Sequence, residues 1–181
     1  MPEAKVVSQF FDVPNVQDIE VYMKQGGYEG ARMALKDMDP SGVTTVVKDS
    51  NLRGRGGAYF GTGVKWGLMA KGSPHPNYII CNADESEPCT FSDRWKMNSC
   101  PHQLIEGMII AAYAIQAHTG FIYMRGEFRD CRRAVEKAIG QAYEKGLLGK
   151  DILGSGFALD LYVHMGAGAY ICGEESALIE S

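Results

Sequence analysis

Six glycines lie between Gly54 and Gly67, in the run Arg53-Gly54-Arg55-Gly56-Gly57-Ala58-Tyr59-Phe60-Gly61-Thr62-Gly63-Val64-Lys65-Trp66-Gly67. A packed structural segment would place side chains here, so the backbone must bend unusually or let another molecule come close. Bare N–H groups in such a loop can cradle phosphate or pyrophosphate, most effectively when a helix begins directly after it, as residues 62–70 are expected to provide. Arg53, Arg55 and Lys65 add positive charge, and arginine can hold phosphate oxygens through two parallel bonds. The pattern is not an intact G-x-G-x-x-G, because Tyr59 takes its last position. No expected strand precedes it, and it lacks the Gly-Lys-Ser/Thr ending of a P-loop. A plain flexible loop therefore stays open beside the anion cradle.

A second cluster, Cys81-Asn82-Ala83-Asp84-Glu85-Ser86-Glu87-Pro88, follows the first expected strand. Ligands of open α/β sheets gather at that edge. Asn82 can donate and accept, which suits the edge of a planar heterocycle, and Asp84 could hold ribityl or ribose hydroxyls. Three carboxylates within four residues would be costly if all were buried, so some must face solvent or a donating ligand. A solvated acidic turn is the plainer alternative. The third cluster, Gly166-Ala167-Gly168-Ala169-Tyr170-Ile171-Cys172-Gly173-Glu174-Glu175, again follows an expected strand. Its small residues permit close approach and suggest adenine and ribose recognition, whereas Glu174 and Glu175 could equally be partners of a helix dipole.

The remaining polar residues are less informative. His102 and Glu106 stand one helical turn apart, but without a third ligand they read as surface or packing chemistry rather than a metal pair, and His75, His118 and His164 are isolated. No elbow motif suggests a Ser-His-Asp arrangement. The five cysteines, at 81, 89, 100, 131 and 172, form no C-x-x-C pair, so neither a disulfide framework nor a self-contained zinc or iron–sulfur site is expected. A reducing compartment fits them best. Cys81 and Cys172 suit packed positions, and Cys89 would be reactive only in electropositive surroundings.

The elements that must position these clusters can be read from periodicity. Short helices are expected over 18–24, 28–38 and 43–48, the last weakened by β-branched residues. Apolar runs at Tyr78–Cys81 and Phe121–Met124 have the character of buried strands, and Leu159–Val163 alternates as a third. Between the first two, residues 101–117 carry Leu104, Ile105, Met108, Ile109, Ala112 and Ile115 at helical spacing, with Pro101 suited to the first turn. Between the second and third, residues 129–145 place Val135, Ala138, Ile139 and Ala142 on one face, and Gly146 ends the helix. Strand, helix, strand, helix, strand is the order of a parallel sheet.

With 181 residues and 45% hydrophobic residues, the chain can bury one full-sized core. Eighteen basic against 22 acidic residues, a net charge of −4, argue against a nucleic-acid surface. The N-terminal Met-Pro-Glu-Ala-Lys-Val-Val lacks secretion-signal character, and the longest apolar stretch, 108–115, is too short to span a membrane. A soluble or peripherally attached chain is expected. The stop at Ser181, just after a new helix opens at Gly173-Glu174-Glu175, gives the expectation of a fragment or a shortened gene product.

Taken in order, Asn51-Leu52-Arg53-Gly54-Arg55-Gly56-Gly57-Ala58, Thr62-Gly63-Val64-Lys65-Trp66, Cys81-Asn82-Ala83-Asp84-Glu85, Pro101-His102, Arg125-Gly126-Glu127-Phe128, Gly146-Leu147-Leu148-Gly149-Lys150 and Gly166 through Glu175 closely resemble the NADH-binding, FMN-carrying subunit of proton-pumping NADH:quinone oxidoreductase, complex I. NAD-linked hydrogenases and formate dehydrogenases share these motifs. The resemblance runs from about Gly26 to Ser181. It implies an α/β fold, a Rossmann-like parallel sheet flanked by helices, with a helical segment over 1–50 and an FMN/NADH-binding domain over 51–181 that is truncated at its C-terminal end.

The resemblance implies that FMN and NADH share one cavity, that hydride passes from nicotinamide to flavin, and that electrons leave through iron–sulfur clusters toward quinone. Gly54, Arg55, Gly56, Gly57, Ala58 and Lys65 would surround the nucleotides, with Phe60 stacking on a nicotinamide or adenine ring. Asn82, Asp84 and Glu87 would contact the flavin, and Glu87, near the nicotinamide, is the catalytic candidate. Tyr170, Gly173, Glu174 and Glu175 would complete the walls. No metal ligand is expected here: the family's 4Fe-4S cluster domain would lie beyond Ser181. The implied partners are the other components of a respiratory NADH dehydrogenase, above all one that carries iron–sulfur clusters, on the inner face of an energy-transducing membrane without direct insertion.

The sequence departs from the family pattern at Tyr59, where glycine is usual, at Cys89, again in place of glycine, and at Gly61, where proline or serine is common. A catalytically silent fragment that keeps the fold or a docking surface is the alternative reading. A generic phosphate-binding module explains the glycine loop but not the later blocks.

Overall fold

A computed structural model of the chain describes residues 5–69 and 72–181. Residues 1–4, part of the N-terminal stretch read above, and Ala70, the expected end of the helix after the glycine loop, lie outside them.

The first helices form where local caps meet apolar spacing. Asp18 caps α1 (Ile19–Lys24) by accepting from the Glu20 N–H at 2.9 Å. Asp39 likewise caps α3 (Pro40–Asp49), accepting from Gly42 N–H at 2.7 Å with Pro40 in the first turn. That helix is longer than the expected 43–48, because cap and proline outweigh the β-branched residues. Between them, α2 (Glu29–Asp37) starts without a side-chain cap at Tyr28, which sits in the left-handed region at φ 65°.

Glu106 supplies what that start lacks. Its carboxylate accepts from the Tyr22 hydroxyl (2.6 Å), the Tyr28 N–H (2.9 Å) and the Ala31 N–H (3.2 Å). The Tyr28 hydroxyl reaches His102 Nδ1 at 2.8 Å, and the opposite ring nitrogen meets Gln141 Oε1 at 3.0 Å. His102 is fully buried, so the packing reading of the His102 and Glu106 pair describes both residues. Burial, only partly offset by the Gln141 hydrogen bond, lowers the pKa of His102. Folding therefore disfavours protonation of the ring. Its contribution to stability is complete above the unfolded value of about 6.5 and is lost as the pH falls through the lower folded value. Urea midpoints measured at neutral and mildly acidic pH are expected to drop more steeply in the natural chain than in His102→Gln; parallel slopes would show that this ring does not titrate with folding.

The sheet contains β1 (Asn77–Ala83), β2 (Ala117–Met124) and β3 (Asp160–Met165), in the order β1-β2-β3 and parallel throughout. The β1–β2 crossover runs through α5 (Ser92–Ser99) and α6 (Pro101–Ile115), the β2–β3 crossover through α7 (Arg129–Glu144). Strands that advance in one direction with same-handed crossovers send both connections to one face. Ile79, Ala83, Ile122, Met124 and Leu161 accordingly join the core with Ile105, Met108, Ile109, Val135 and Ala138. Gln116, left-handed at φ 56°, ends α6 short of the expected 117, and Gly146 at φ 66° follows the end of α7 as its sequence position implied.

Three features depart from the expectations. The apolar run at β1 is half-buried, not buried on both sides: Tyr78 and Ile80 remain 53% and 43% exposed. On the same open face, the Tyr78, Phe121 and Tyr162 rings line up across the strands at 6.5 and 5.7 Å. Second, α5 had no expectation, because it buries only Met97 and has no local cap. Its first turn is held instead by buried Glu85, which accepts from Asp93 N–H (2.8 Å), Arg94 N–H (3.1 Å) and the Ser92 hydroxyl (3.2 Å). Third, a 3-10 turn over Tyr170–Gly173 precedes the last helix, α8 (Glu175–Glu180). Among the described residues no helix is long and apolar enough to cross a membrane.

Candidate functional site

The glycine loop is pinched at its base. Arg53 and Gly61 form an antiparallel bridge, with Gly54 N–H donating to Phe60 O and Thr62 N–H to Leu52 O, both at 2.9 Å. Among the described residues no strand precedes it; the bridge closes the loop on itself. Gly57 sits at φ 112°, and a Cβ on Gly56 or Gly57 would meet nothing within 4 Å, so this backbone faces open space. Helix α4 (Thr62–Gly67) begins immediately afterwards. Gly63 allows α4 to lie on α3: a Cβ there would fall 2.4 Å from Lys48 N. Replacing that glycine would therefore displace the helix that carries Lys65.

The turn after β1 and the segment after β3 meet at the C-terminal edge of the sheet. Asn82 Nδ2 donates to Gly173 O at 2.8 Å, and a Cβ on Gly173 would stand 3.4 Å from Asp84 O. The Tyr170 hydroxyl donates to the Glu87 carboxylate, and this bond raises the pKa of the phenol. Lys65 Nζ lies 3.4 Å from Glu175 Oε2. Both groups are exposed, so the pair adds little stability, but it joins the glycine-loop side to the last segment. Asn82, Asp84, Glu87, Tyr170, Gly173, Lys65 and Glu175 are thus brought to one edge.

Gly54, Arg55, Gly56, Gly57, Ala58 and Phe60 stay on the loop, where both arginines contact Tyr59 and Arg53 Nε also donates to Asn51 Oδ1 at 3.2 Å. Phe60 is half exposed. Glu174 caps α8, accepting from Ser176 and Ala177 N–H at 3.0 and 3.1 Å, and these bonds lower its pKa. The dipole-partner alternative describes what Glu174 does in this structure.

The three clustered carboxylates have three different surroundings. Glu85 is buried on the α5 N-terminus and Glu87 is exposed against Tyr170. Asp84 Oδ1 accepts from the Ser86 hydroxyl, but its buried Oδ2 has no hydrogen-bond partner. Buried polar atoms are nearly always paired, and an orphan costs roughly 1–3 kcal/mol. An acceptor left waiting at the sheet edge matches the hydroxyl donors of a ribityl or ribose chain. Open glycine backbone flanked by Arg53, Arg55 and Lys65 suits a phosphate. The residues present therefore fit a flavin mononucleotide.

Two supporting residues had no role in the sequence reading. Glu85 holds α5 from outside the helix, so no local spacing marked it. Arg125 donates to Glu85 O (3.2 Å) and pairs with Glu127 (3.0 Å), tying the turn after β2 to the turn after β1. The Arg125-Gly126-Glu127-Phe128 block was the available signal. Cys81 is half-buried against the core, and desolvation pushes its thiol up to about 12. Cys172 is buried, and exposed Cys89 is left-handed at φ 65°. No group of three or more potential metal ligands occurs among the described residues.

Comparisons with known proteins give the family. The chain is 52% identical over 170 residues to an NADH-quinone oxidoreductase subunit of Rhizobium meliloti, covering 94% of this chain and 40% of that protein. It is 51% identical over 164 residues to an NADH-quinone oxidoreductase subunit of Escherichia coli, covering 90% and 37%. The chain thus spans about two fifths of the length of the curated relatives it matches. Among solved structures, an NAD+-reducing NiFe hydrogenase in its air-oxidised state aligns with a TM-score of 0.73 at 34% identity, over 98% of this chain and 27% of that one. The model of the Nuo51 FMN-binding domain matches residues 47–181, from the end of α3 through the glycine loop and the whole sheet, and the chain belongs to that family.

Proposed function

We propose that this chain supplies the FMN- and NADH-binding portion of an NADH dehydrogenase subunit of the complex I type. The observation that carries the reading is the buried, unpartnered Asp84 Oδ2 at the sheet edge, beside the Asn82–Gly173 contact. FMN bound against Asn82 and Asp84 would supply a flavin able to accept hydride from NADH and to release electrons singly. The chain's residues bind and orient. Arg53, Arg55, Lys65 and the bare N–H groups of Gly56 and Gly57 hold phosphate, and Asp84 accepts from sugar or ribityl hydroxyls. Asn82 fixes the Gly173 backbone while lining the flavin side. Glu87 accepts from the Tyr170 hydroxyl and so sets that ring as a wall for the nicotinamide, and this orientation is how Glu87 serves the reaction. The main contribution is positioning of two rings with water kept out.

By the same reading, the electrons continue through an iron–sulfur partner subunit toward quinone, in a complex peripheral to the membrane. The test is anaerobic addition of NADH to the chain loaded with FMN. Loss of the yellow flavin band is expected; a band that persists while FMN stays bound would refute hydride transfer by this chain. The second reading, a silent chain that docks through its fold, is favoured by the open Tyr78–Phe121–Tyr162 face. It predicts no FMN uptake at all.

A further inference from the structure

Tyr59 occupies the middle of the charged loop. Its ring centroid lies 5.2 Å from Arg53 Cζ and 5.7 Å from Arg55 Cζ, and Arg53 Nη1 also reaches Tyr59 O at 3.4 Å. The residue holds a left-handed backbone, φ 54°, which non-glycine L-residues adopt at a cost. The residue is 55% exposed, so burial of the ring does not account for that conformation. Beside it lies a 380 Å³ cavity whose lining includes Lys48, Asn51, Arg53, Tyr59 and Phe60.

Two guanidiniums that share a loop repel each other, and a negative group lying between them offsets that repulsion. An anion bridging them would sit within a few ångströms of both, and the Tyr59 ring, whose face carries the negative side of its quadrupole, lies within 6 Å of both instead. We propose that Tyr59 is an internal stand-in for the anion: it holds Arg53 and Arg55 on its ring, and a phosphate-bearing ligand must displace it to engage them. Tyr59 is then a residue that sets affinity at the nucleotide site, acting through the two arginines. The inference rests on the reading of this loop as the phosphate cradle.

The test uses the full chain with inorganic pyrophosphate as probe, measured by calorimetry, with FMN titrated in parallel. Tyr59→Gly and Tyr59→Asn both tolerate the left-handed backbone, so folding is retained, and neither offers a ring. Both are expected to bind pyrophosphate about tenfold tighter than the natural chain, equivalent to ~1.4 kcal/mol. Tyr59→Phe keeps the ring face and is expected to stay within about twofold of the natural chain. The gain is expected to vanish when Arg53→Gln and Arg55→Gln are added. Equal or weaker pyrophosphate binding by the Gly and Asn variants, including none in any chain, overturns the proposal, as does a gain that survives loss of both arginines. A pyrophosphate gain without FMN uptake supports the stand-in and defeats the flavin reading; FMN uptake with no pyrophosphate gain does the reverse.

Discussion

Glu106→Ala is expected to destabilise the chain by about 3–4 kcal/mol, the largest single loss from a side chain outside the nucleotide site. Glu106 satisfies three donors at once: the Tyr22 hydroxyl and the N–H groups of Tyr28 and Ala31. Tyr22 and Tyr28 are almost fully buried, so water cannot readily replace the carboxylate. Each donor left unpaired costs roughly 1–3 kcal/mol, against a total stability of about 5–15 kcal/mol for a typical domain. The left-handed Tyr28 is held by one of these bonds, so its conformational strain would also be released. Glu106→Gln keeps one acceptor oxygen and is expected to lose about half as much. Equilibrium urea unfolding measures both; a loss below about 1 kcal/mol for the alanine variant would mean that the carboxylate is not what anchors α2 to α6.

Asp84→Asn is expected to separate stability from function. In the unbound chain the substitution removes a carboxylate oxygen that has no partner, so thermal stability is expected to hold or rise. In the bound chain the same oxygen accepts from the ligand. A hydrogen bond to a charged acceptor contributes about 1.5–3 kcal/mol, so FMN affinity is expected to fall by roughly 10- to 100-fold. Sites kept for ligands commonly trade stability in this way. Melting curves and FMN titrations on one preparation give both numbers. Unchanged affinity would remove Asp84 from the site, and a large loss of stability would make it a structural residue.

The sequence revealed most where the signal is local. The helices expected over 18–24 and 28–38 fall within one residue of α1 and α2, Gly146 follows the end of α7, and the apolar runs at 78–81 and 121–124 fall inside β1 and β2. The features that escaped it depend on partners distant in sequence. Helix α5 is held by Glu85, which precedes it by a loop, and its weak apolar stripe buries only Met97. The Tyr28 start of α2 depends on Glu106, 78 residues away. The half-open face of β1 could not be read from Tyr78-Ile79-Ile80-Cys81, since a run of apolar residues looks the same whether one face or two are covered.

At the site, the order of the motifs identified the clusters, and the geometry assigned their separate tasks. The sequence singled out Asp84 and Glu87, kept a solvated acidic turn as the alternative, and gave Glu85 no task of its own. The structure buries Glu85 under a helix, turns Glu87 to Tyr170 and leaves Asp84 Oδ2 unpartnered. Tyr59 could be seen in the sequence as an unusual side chain in a glycine loop, but its hold on Arg53 and Arg55 is a property of the folded loop alone.

The most direct measurement is a titration of FMN against the full chain, followed by quenching of flavin fluorescence, with Asp84→Asn and Tyr59→Gly run alongside. The account predicts saturable, equimolar uptake by the natural chain, weaker uptake by Asp84→Asn and tighter uptake by Tyr59→Gly. Flavin fluorescence that stays unchanged in the natural chain and in Tyr59→Gly alike would contradict it.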